Sequence, residues 1–193
     1  NSLNYYKEGC SKYNLHDYEG AITDLDLALK MNPDSATTYV KRGQCYYSMG
    51  KYDLAIADFE LAIKKQPTKA EAHYSLGVVY ETKEEHQKAF EEFTQAVNAN
   101  SAYYEAYIHR ALACDALGQF GSAIYDYTNA IRLRPSNGEA YYRRGLLKRD
   151  NIKNDQEACA DFCKASDLGY SDAEELATNC RDPYYNSKKK KKE

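Results

Sequence analysis

The chain has 193 residues, enough for one domain with a sizeable core, and carries 20 Tyr, no Trp, 10 Gly and 4 Pro, a scarcity of breakers that favours long helices over a many-turned β fold. The formal net charge of −3 argues against a bulk nucleic-acid binder, and it hides an asymmetry: residues 188–193, KKKKKE, hold five Lys and one Glu, leaving a body of 21 basic and 28 acidic residues. No apolar run reaches the roughly 20 residues that a membrane-spanning helix needs, no secretory leader pattern opens the chain, and six Cys without a C-x-x-C pair are too few for a disulfide framework.

From the N-terminus onward one amphipathic segment is written several times. HDYEGAITDLDLALKMNP at 16–33 returns as KYDLAIADFELAIKKQP at 51–67 and as GQFGSAIYDYTNAIRLRP at 118–135. Small residues set the ruler: Ala21, Ala55, Ala89 and Ala123 are 34 apart, and Ala28, Ala62, Ala96 and Ala130 each follow seven later. Leu25, Phe59, Phe93 and Tyr127 stand between them, and Pro33, Pro67 and Pro135 close the segments, with Ser101 in the remaining place. Upstream stand Gly9, Gly43, Gly77, Ala111 and Gly145, each preceded by four residues by Tyr5, Tyr39, His73, Tyr107 and Tyr141. A fifth copy continues with Ala158, Phe162 and Ala165, displaced by one residue that the polar stretch DNIKND absorbs as a loop. A fixed period in this range signals stacked supersecondary units.

Each unit reads as two helices, in the second copy Ala36 to Met49 and Tyr52 to Lys65, with Gly50 as the helix-ending residue between them. Thr68 with Glu71, and Ser136 with Glu139, have the spacing of capping boxes at the next helix start. The Gly or Ala column lets two helices approach closely, and the aromatic column fills the space beside the contact. One helical pair is too thin to bury its own apolar stripe, so each pair needs the next.

These residues resemble the tetratricopeptide repeat family over about residues 2–172, as five repeats at 2–35, 36–69, 70–103, 104–137 and 138–172. The resemblance implies an all-α fold, a right-handed superhelix of antiparallel helix pairs, with a concave groove lined by the first helices and a protein–protein interaction role. GYSDAEELATNC follows, where Ser171 and Glu174 have capping-box spacing and Ala173, Leu176 and Ala177 form one stripe; 173–182 is expected to be a helix capping the stack, ahead of a basic tail at 183–193. YYRRG and the DLGYSDAEEL segment resemble bacterial members of the family.

In this register Tyr6, Val40, Tyr74, Ile108 and Tyr142 lie on the inner face of successive first helices. Cys10, Gln44, Val78, Leu112 and Leu146 stand one turn along, and Tyr13, Tyr47, Glu81, Asp115 and Arg149 one turn further. The expected groove is apolar and Tyr-rich, with Lys41, His109 and Arg143 as polar selectors. A rigid phenol ring supplies contact area and its hydroxyl a hydrogen bond. The competing reading of any one Tyr is packing between helices. A subclass of the family grips acidic chaperone tails through Lys, Asn and Arg; the three frames here read Tyr6, Cys10, Lys41, Glu71, Ser75, then Val40, Gln44, Ser75, Glu105, His109, then Tyr74, Val78, His109, Glu139, Arg143. Only Arg143 fits, and Glu105 or Glu139 repels a carboxylate, so the expected partner is a protein or peptide segment other than such a tail.

Other chemistry is sparse. Cys159 and Cys163 share a helix face, but the four His lie in other repeats and form no short ligand pair. Cys159 and Cys180 are symmetric about a turn at 168–171, so an antiparallel packing of cap on last repeat helix would bring them level and permit a disulfide. The default compartment is cytoplasmic; an oxidised Cys159–Cys180 pair points to the cell envelope instead. Arg143, Arg144, Lys148 and Arg149, with Lys188–Lys192, offer an RNA or anionic lipid site against the blander reading of a solvated face and tail. No phosphate-loop, nucleophile-elbow or zinc-protease motif occurs, and the Asp and Glu residues are read as exposed. The expectation is a binding scaffold with no catalytic, cofactor or metal site. The alternatives are a structural or homo-oligomerising module that uses its ends or convex face, and a targeting module of an enzyme outside this stretch.

Overall fold

The computed structural model describes residues 1–182; the basic tail expected at 183–193 lies outside them. Among the described residues all regular structure is helical. The helices are α1 (Ser2–Asn14), α2 (Tyr18–Met31), α3 (Ala36–Ser48), α4 (Tyr52–Lys65), α5 (Ala70–Thr82), α6 (His86–Ala99), α7 (Tyr104–Ala116), α8 (Phe120–Leu133), α9 (Gly138–Asp150), α10 (Asp155–Asp167) and, after a 3₁₀ turn at Ser171–Ala173, α11 (Glu174–Arg181). The all-α class and the helix pairing read from the repeats are thus observed. Two compact units divide the chain, Asn1–Ala106 and Tyr107 onward. In the first, α1 packs on α2, α3 on α4 and α5 on α6; in the second, α9 packs on α10. Connections as short as 15–17 or 49–51 permit only antiparallel packing.

The tight turn inside each pair requires a left-handed residue. Gly50 (φ 72°) supplies it without strain, whereas His16 (φ 62°), Glu84 (φ 58°) and Lys153 (φ 59°) adopt it with a Cβ, at roughly 1 kcal/mol each. After α2, α4, α6 and α8 the last helical turn is closed by the same bond: the N–H groups of Asn32, Gln66, Asn100 and Arg134 donate to Ala28, Ala62, Ala96 and Ala130. The third of these precedes Ser101, so Pro is not what ends the helix. The capping boxes are one residue out. The N-caps of α5 and α9 are Lys69 and Asn137, and Asn137 accepts from the Ala140 N–H. Their own N–H groups close the turn onto Gln66 and Arg134, which consumes the residue that Thr68 and Ser136 were expected to occupy. Ser171 likewise opens the 3₁₀ turn and not α11.

The ruler columns meet as physical partners. A Cβ added to Gly43 would fall 2.6 Å from Phe59 Cε1, one on Gly77 2.7 Å from Phe93, and one on Gly145 2.7 Å from Phe162. The missing side chain is the space into which the ring packs. Phe59, Phe93 and Phe162 are at most 2% exposed. Around Phe59 the core of α3, α4 and α5 collects Val40, Ala55, Ala62, Ala72, Leu76 and Val79, flanked by Tyr39, Tyr46, Tyr52 and Ile56.

Burial of acidic residues corrects the sequence reading. Asp24, Asp58, Asp126 and Asp161 all fall below 8% exposure. Each lies four residues before an Ala of the ruler and faces a cation from its own pair. Lys12 reaches Asp24 at 2.7 Å, Arg42 Nη2 reaches Asp58 Oδ1 at 2.6 Å, Arg110 reaches Asp126 at 2.6 Å and Arg144 reaches Asp161 at 2.6 Å. The three guanidinium groups also lie over the rings of Tyr39, Tyr107 and Tyr141. In the third repeat all three partners change together: His73 replaces Tyr, Leu76 replaces Arg and Glu92 replaces Asp.

His73 Nδ1 then stands 2.7 Å from Glu92 Oε2 and Nε2 stands 3.0 Å from the Pro67 carbonyl. Both partners are acceptors, so both ring nitrogens must carry protons, and the Glu92 bond raises the His73 pKa above its ordinary value. A raised pKa adds stability that is fully present below the unfolded value near 6.5 and is lost as pH rises through the folded value. The melting temperature is therefore expected to fall as pH is raised above about 6.5. The His73→Tyr variant, which restores the column's usual residue, is expected to show a flatter profile in the same calorimetric scans.

Candidate protein-binding surfaces

In the first unit the residues of α1, α3 and α5 that the repeat register assigns to the inner face form one polar relay beside a ring cluster. Lys41 Nζ lies 4.7 Å from the centroid of the Tyr13 ring and donates to Gln44 Oε1 at 2.6 Å. Gln44 Nε2 donates to Glu71 Oε1 at 3.3 Å. Glu71 in turn bears on two phenols: Tyr6, raised chiefly by burial and next by its bond to Cys10, and Tyr103, raised chiefly by burial and next by Tyr74. Tyr74 packs against Tyr103 at 5.0 Å and against Phe93 at 5.8 Å between centroids. Burial, then Glu105, Glu81 and Tyr47, push its phenol up to about 12. Tyr47 pairs its hydroxyl with Thr82 at 3.0 Å and rests against Tyr52, while Val78 is half-buried. A cavity of about 380 Å³ adjoins Tyr6, walled by Ser2, Leu3, Asn32, Ser35, Thr37 and Thr38.

Val40 departs from this surface. It is 1% exposed within the core of α3 to α5 and offers nothing to a ligand. Here the alternative of packing between helices holds: Val40 lies in one cluster with Ala36, Leu76 and Val79.

In the second unit the residues that the register assigns to the inner face, Ile108, His109, Leu112, Tyr142, Arg143 and Leu146, are all half-buried. Tyr142 repeats the Tyr74 arrangement, with Tyr170 at 5.2 Å and Phe162 at 6.1 Å. Arg143 donates through Nε to Glu139 Oε1 at 2.7 Å. The carboxylate expected to repel an acidic tail therefore holds the one cation that fitted such a tail.

Tyr103 and Tyr170 are the residues that periodicity missed. They lie in connections after α6 and α10, at places not equivalent to one another in the 34-residue ruler. No column pointed to them. The signal available was an aromatic immediately ahead of a helix start.

The basic cluster offered for RNA or lipid is committed to its own neighbours. Arg144 holds Asp161 and Thr128, Lys148 Nζ is 3.0 Å from both Glu157 and Asp161, and Arg149 holds Asp150. Among the described residues no three His, Cys, Asp or Glu side chains gather as metal ligands would. No described helix is long and apolar enough to cross a membrane. Cys159 and Cys180 stand with Cα atoms 5.4 Å apart and are joined by a disulfide, while Cys163 remains a free thiol.

Helix pairs built on a Gly–aromatic seam and repeated along the chain define a repeat scaffold of the kind used for protein interaction. The chain belongs to the tetratricopeptide repeat family: a TPR repeat model matches residues 11–50, 43–84 and 113–149, and a tetratricopeptide repeat model matches 70–103. Among solved structures it is similar to a crystal structure of MamA, 30% identical over 86% of this chain and 96% of that one, with a TM-score of 0.76. A MamA structure from Desulfovibrio magneticus RS-1 shares the fold at 20% identity, covering 88% and 96% of the two chains, with a TM-score of 0.76. So does YrrB, described as a TPR protein with an unusual peptide-binding site, at 23% identity over 87% and 86% of the chains and a TM-score of 0.72. A comparison with curated protein sequences gives no significant match.

Proposed function

We propose that this repeat protein receives a segment of a partner protein on its Tyr-rich inner faces, and that Tyr74 is the central apolar contact. The observation that carries this is the Tyr74–Tyr103 ring pair, 5.0 Å apart and half-buried beside the Lys41–Gln44–Glu71 relay. Rings already packed on one side lose little conformational freedom when a ligand covers the other. The relay presents donors and acceptors at fixed spacing, which suits a peptide backbone or a polar side chain. Tyr6, Tyr47 and Val78 extend the surface in the first unit. In the second, Tyr142 with Ile108, Leu112 and Leu146 offers apolar contact, and His109 and Arg143 act as selectors. The family's general role and the peptide-binding site named for YrrB support this reading. Catalysis has no part in it.

Tyr74→Ala and Tyr142→Ala test it. Each is expected to weaken capture of the partner by about 30-fold or more, the loss typical of a buried aromatic hot spot, with helicity by circular dichroism unchanged. Capture that survives in the double variant would overturn the assignment. Self-association is favoured by a separate observation: Leu54 and Leu61, two turns apart on α4, are 49% and 37% exposed. Sedimentation velocity discriminates, since a concentration-dependent dimer would put those residues at an interface between copies.

A further inference from the structure

We propose that Cys159 and Cys180 form a thiol-exchange site, in which their bond is a latch holding α11 on α10 and thiol attack releases the helix. α11 packs on α10 as α3 packs on α2, α5 on α4 and α9 on α8. The register agrees. Ala173 and Ala177 stand eight and twelve residues beyond Ala165, as Ala36 and Val40 stand beyond Ala28, and the two Ala are fully buried. α11 is thus the first helix of a further pair, and among the described residues no second helix follows it.

What normally fixes such a helix is weak here. α11 has 8 residues, below the roughly 12–15 at which an isolated helix begins to hold. Its apolar contribution is Ala173, Ala177 and the half-buried Leu176. Arg181 meets Asp167 at 2.6 Å, but the two side chains are 50% and 62% exposed, and such surface pairs contribute little. In the earlier repeats the residue after the first ruler Ala is Ile22, Ile56, Phe90 or Ile124, and Ile22 and Ile56 pack against core clusters that include residues of the next helix. Here that position is Cys159. A covalent bond replaces the apolar joint, and unlike an apolar joint it can be opened chemically.

Cys159 and Cys180 are both partly exposed, which leaves their bond open to a small thiol. A dithiol attacks as its thiolate: a new S–S bond forms to Cys180 Sγ, the Cys159–Cys180 bond breaks, and Cys159 leaves as a thiolate that takes up a proton. The second thiol of the reagent then displaces Cys180, leaving two protein thiols and the oxidised reagent. Cys163 lies one helical turn from Cys159, with Sγ 4.0 Å from the Ala177 carbonyl of α11. It lies beside Ala177 and not beside Cys180, so α11 covers part of it while the helix is docked. Release uncovers it.

Hydrogen exchange of the full chain, with and without dithiothreitol, tests this. Opening a loop closed over 21 residues is expected to speed amide exchange across 170–181 on the order of 100-fold, with α7 to α9 unchanged. Cys180→Ser is expected to reproduce the effect without reductant, and iodoacetamide is expected to label Cys163 faster in that variant. Exchange in α11 that stays within about threefold of the oxidised protein would sink the latch, as would a mass showing no gain of two protons on reduction. Equal loosening of α7 to α9 would also overturn it, by making the bond a staple of the whole unit.

Discussion

Phe93→Ala is expected to lower unfolding free energy by about 3–5 kcal/mol, and melting temperature by roughly 10 °C for a chain of this size. Phe93 is 0% exposed, and its ring fills the notch left by Gly77 and supports Tyr74 at 5.8 Å. Truncation removes the ring from a seam whose width was set by glycine, and the two backbones cannot close on a methyl group. The cavity term therefore adds to the transfer term. The loss should not stay local. Each pair is stabilised by its neighbours, so a weakened α5–α6 pair withdraws support from α4. The same substitution removes the floor under Tyr74, so partner capture is expected to fall even at temperatures where the variant remains folded. Met31→Ala, which truncates a 57% exposed side chain, serves as the control and should stay within about 0.5 kcal/mol. Chemical denaturation of the three proteins side by side provides the measurement. A Phe93→Ala cost under about 1 kcal/mol would mean that the seam relaxes, and the rigid-notch account would be wrong.

How much of this was legible depended on whether a residue's role recurs. The Gly43–Phe59 seam repeats as Gly77–Phe93 and Gly145–Phe162, and any feature written at a fixed period announces itself in the sequence. The Arg42–Asp58 pairing recurs too, as Arg110–Asp126 and Arg144–Asp161, yet those Asp residues were read as solvated. Charge alone reads as exposure, although an Arg sixteen or seventeen residues upstream on the partner helix is the residue that makes burial tolerable. The joint change to His73, Leu76 and Glu92 shows that the three columns form one interaction. Seen column by column, His73 is a single departure from Tyr with nothing to mark its partners. Tyr103 and Tyr170 were out of reach for the opposite reason: each lies in a connection and matches no column. Val40 was misjudged because register assigns a side chain to a face, whereas the cluster it packs in decides whether it emerges from the seam.

The buried pairs give the second large effect. Arg42 bonds Asp58 through two nitrogens, Nε to Oδ2 at 2.8 Å and Nη2 to Oδ1 at 2.6 Å, and Asp58 is 3% exposed. Burial pushes the Asp58 carboxyl up, and Arg42 counters this only in part. Arg42→Leu places at this position the residue that the third repeat has at Leu76, but without the accompanying change of acid. It is expected to cost about 3–5 kcal/mol, because the carboxylate stays buried with its partner gone. The cost has a pH signature. A carboxyl whose folded pKa is raised carries no penalty below its unfolded value near 4 and is penalised increasingly as pH rises above it. The parent shares a smaller form of this penalty, since Arg42 offsets part of it, so acidification from pH 7 to pH 5 should restore more stability to Arg42→Leu than to the parent. Adding Asp58→Leu removes the stranded charge and fills the space, and is expected to recover at least half of the loss. Urea titrations of the parent, both single variants and the double at the two pH values complete the cycle. Additive costs would show that Arg42 and Asp58 act independently; strong coupling is what a charge pair enclosed between two helices requires.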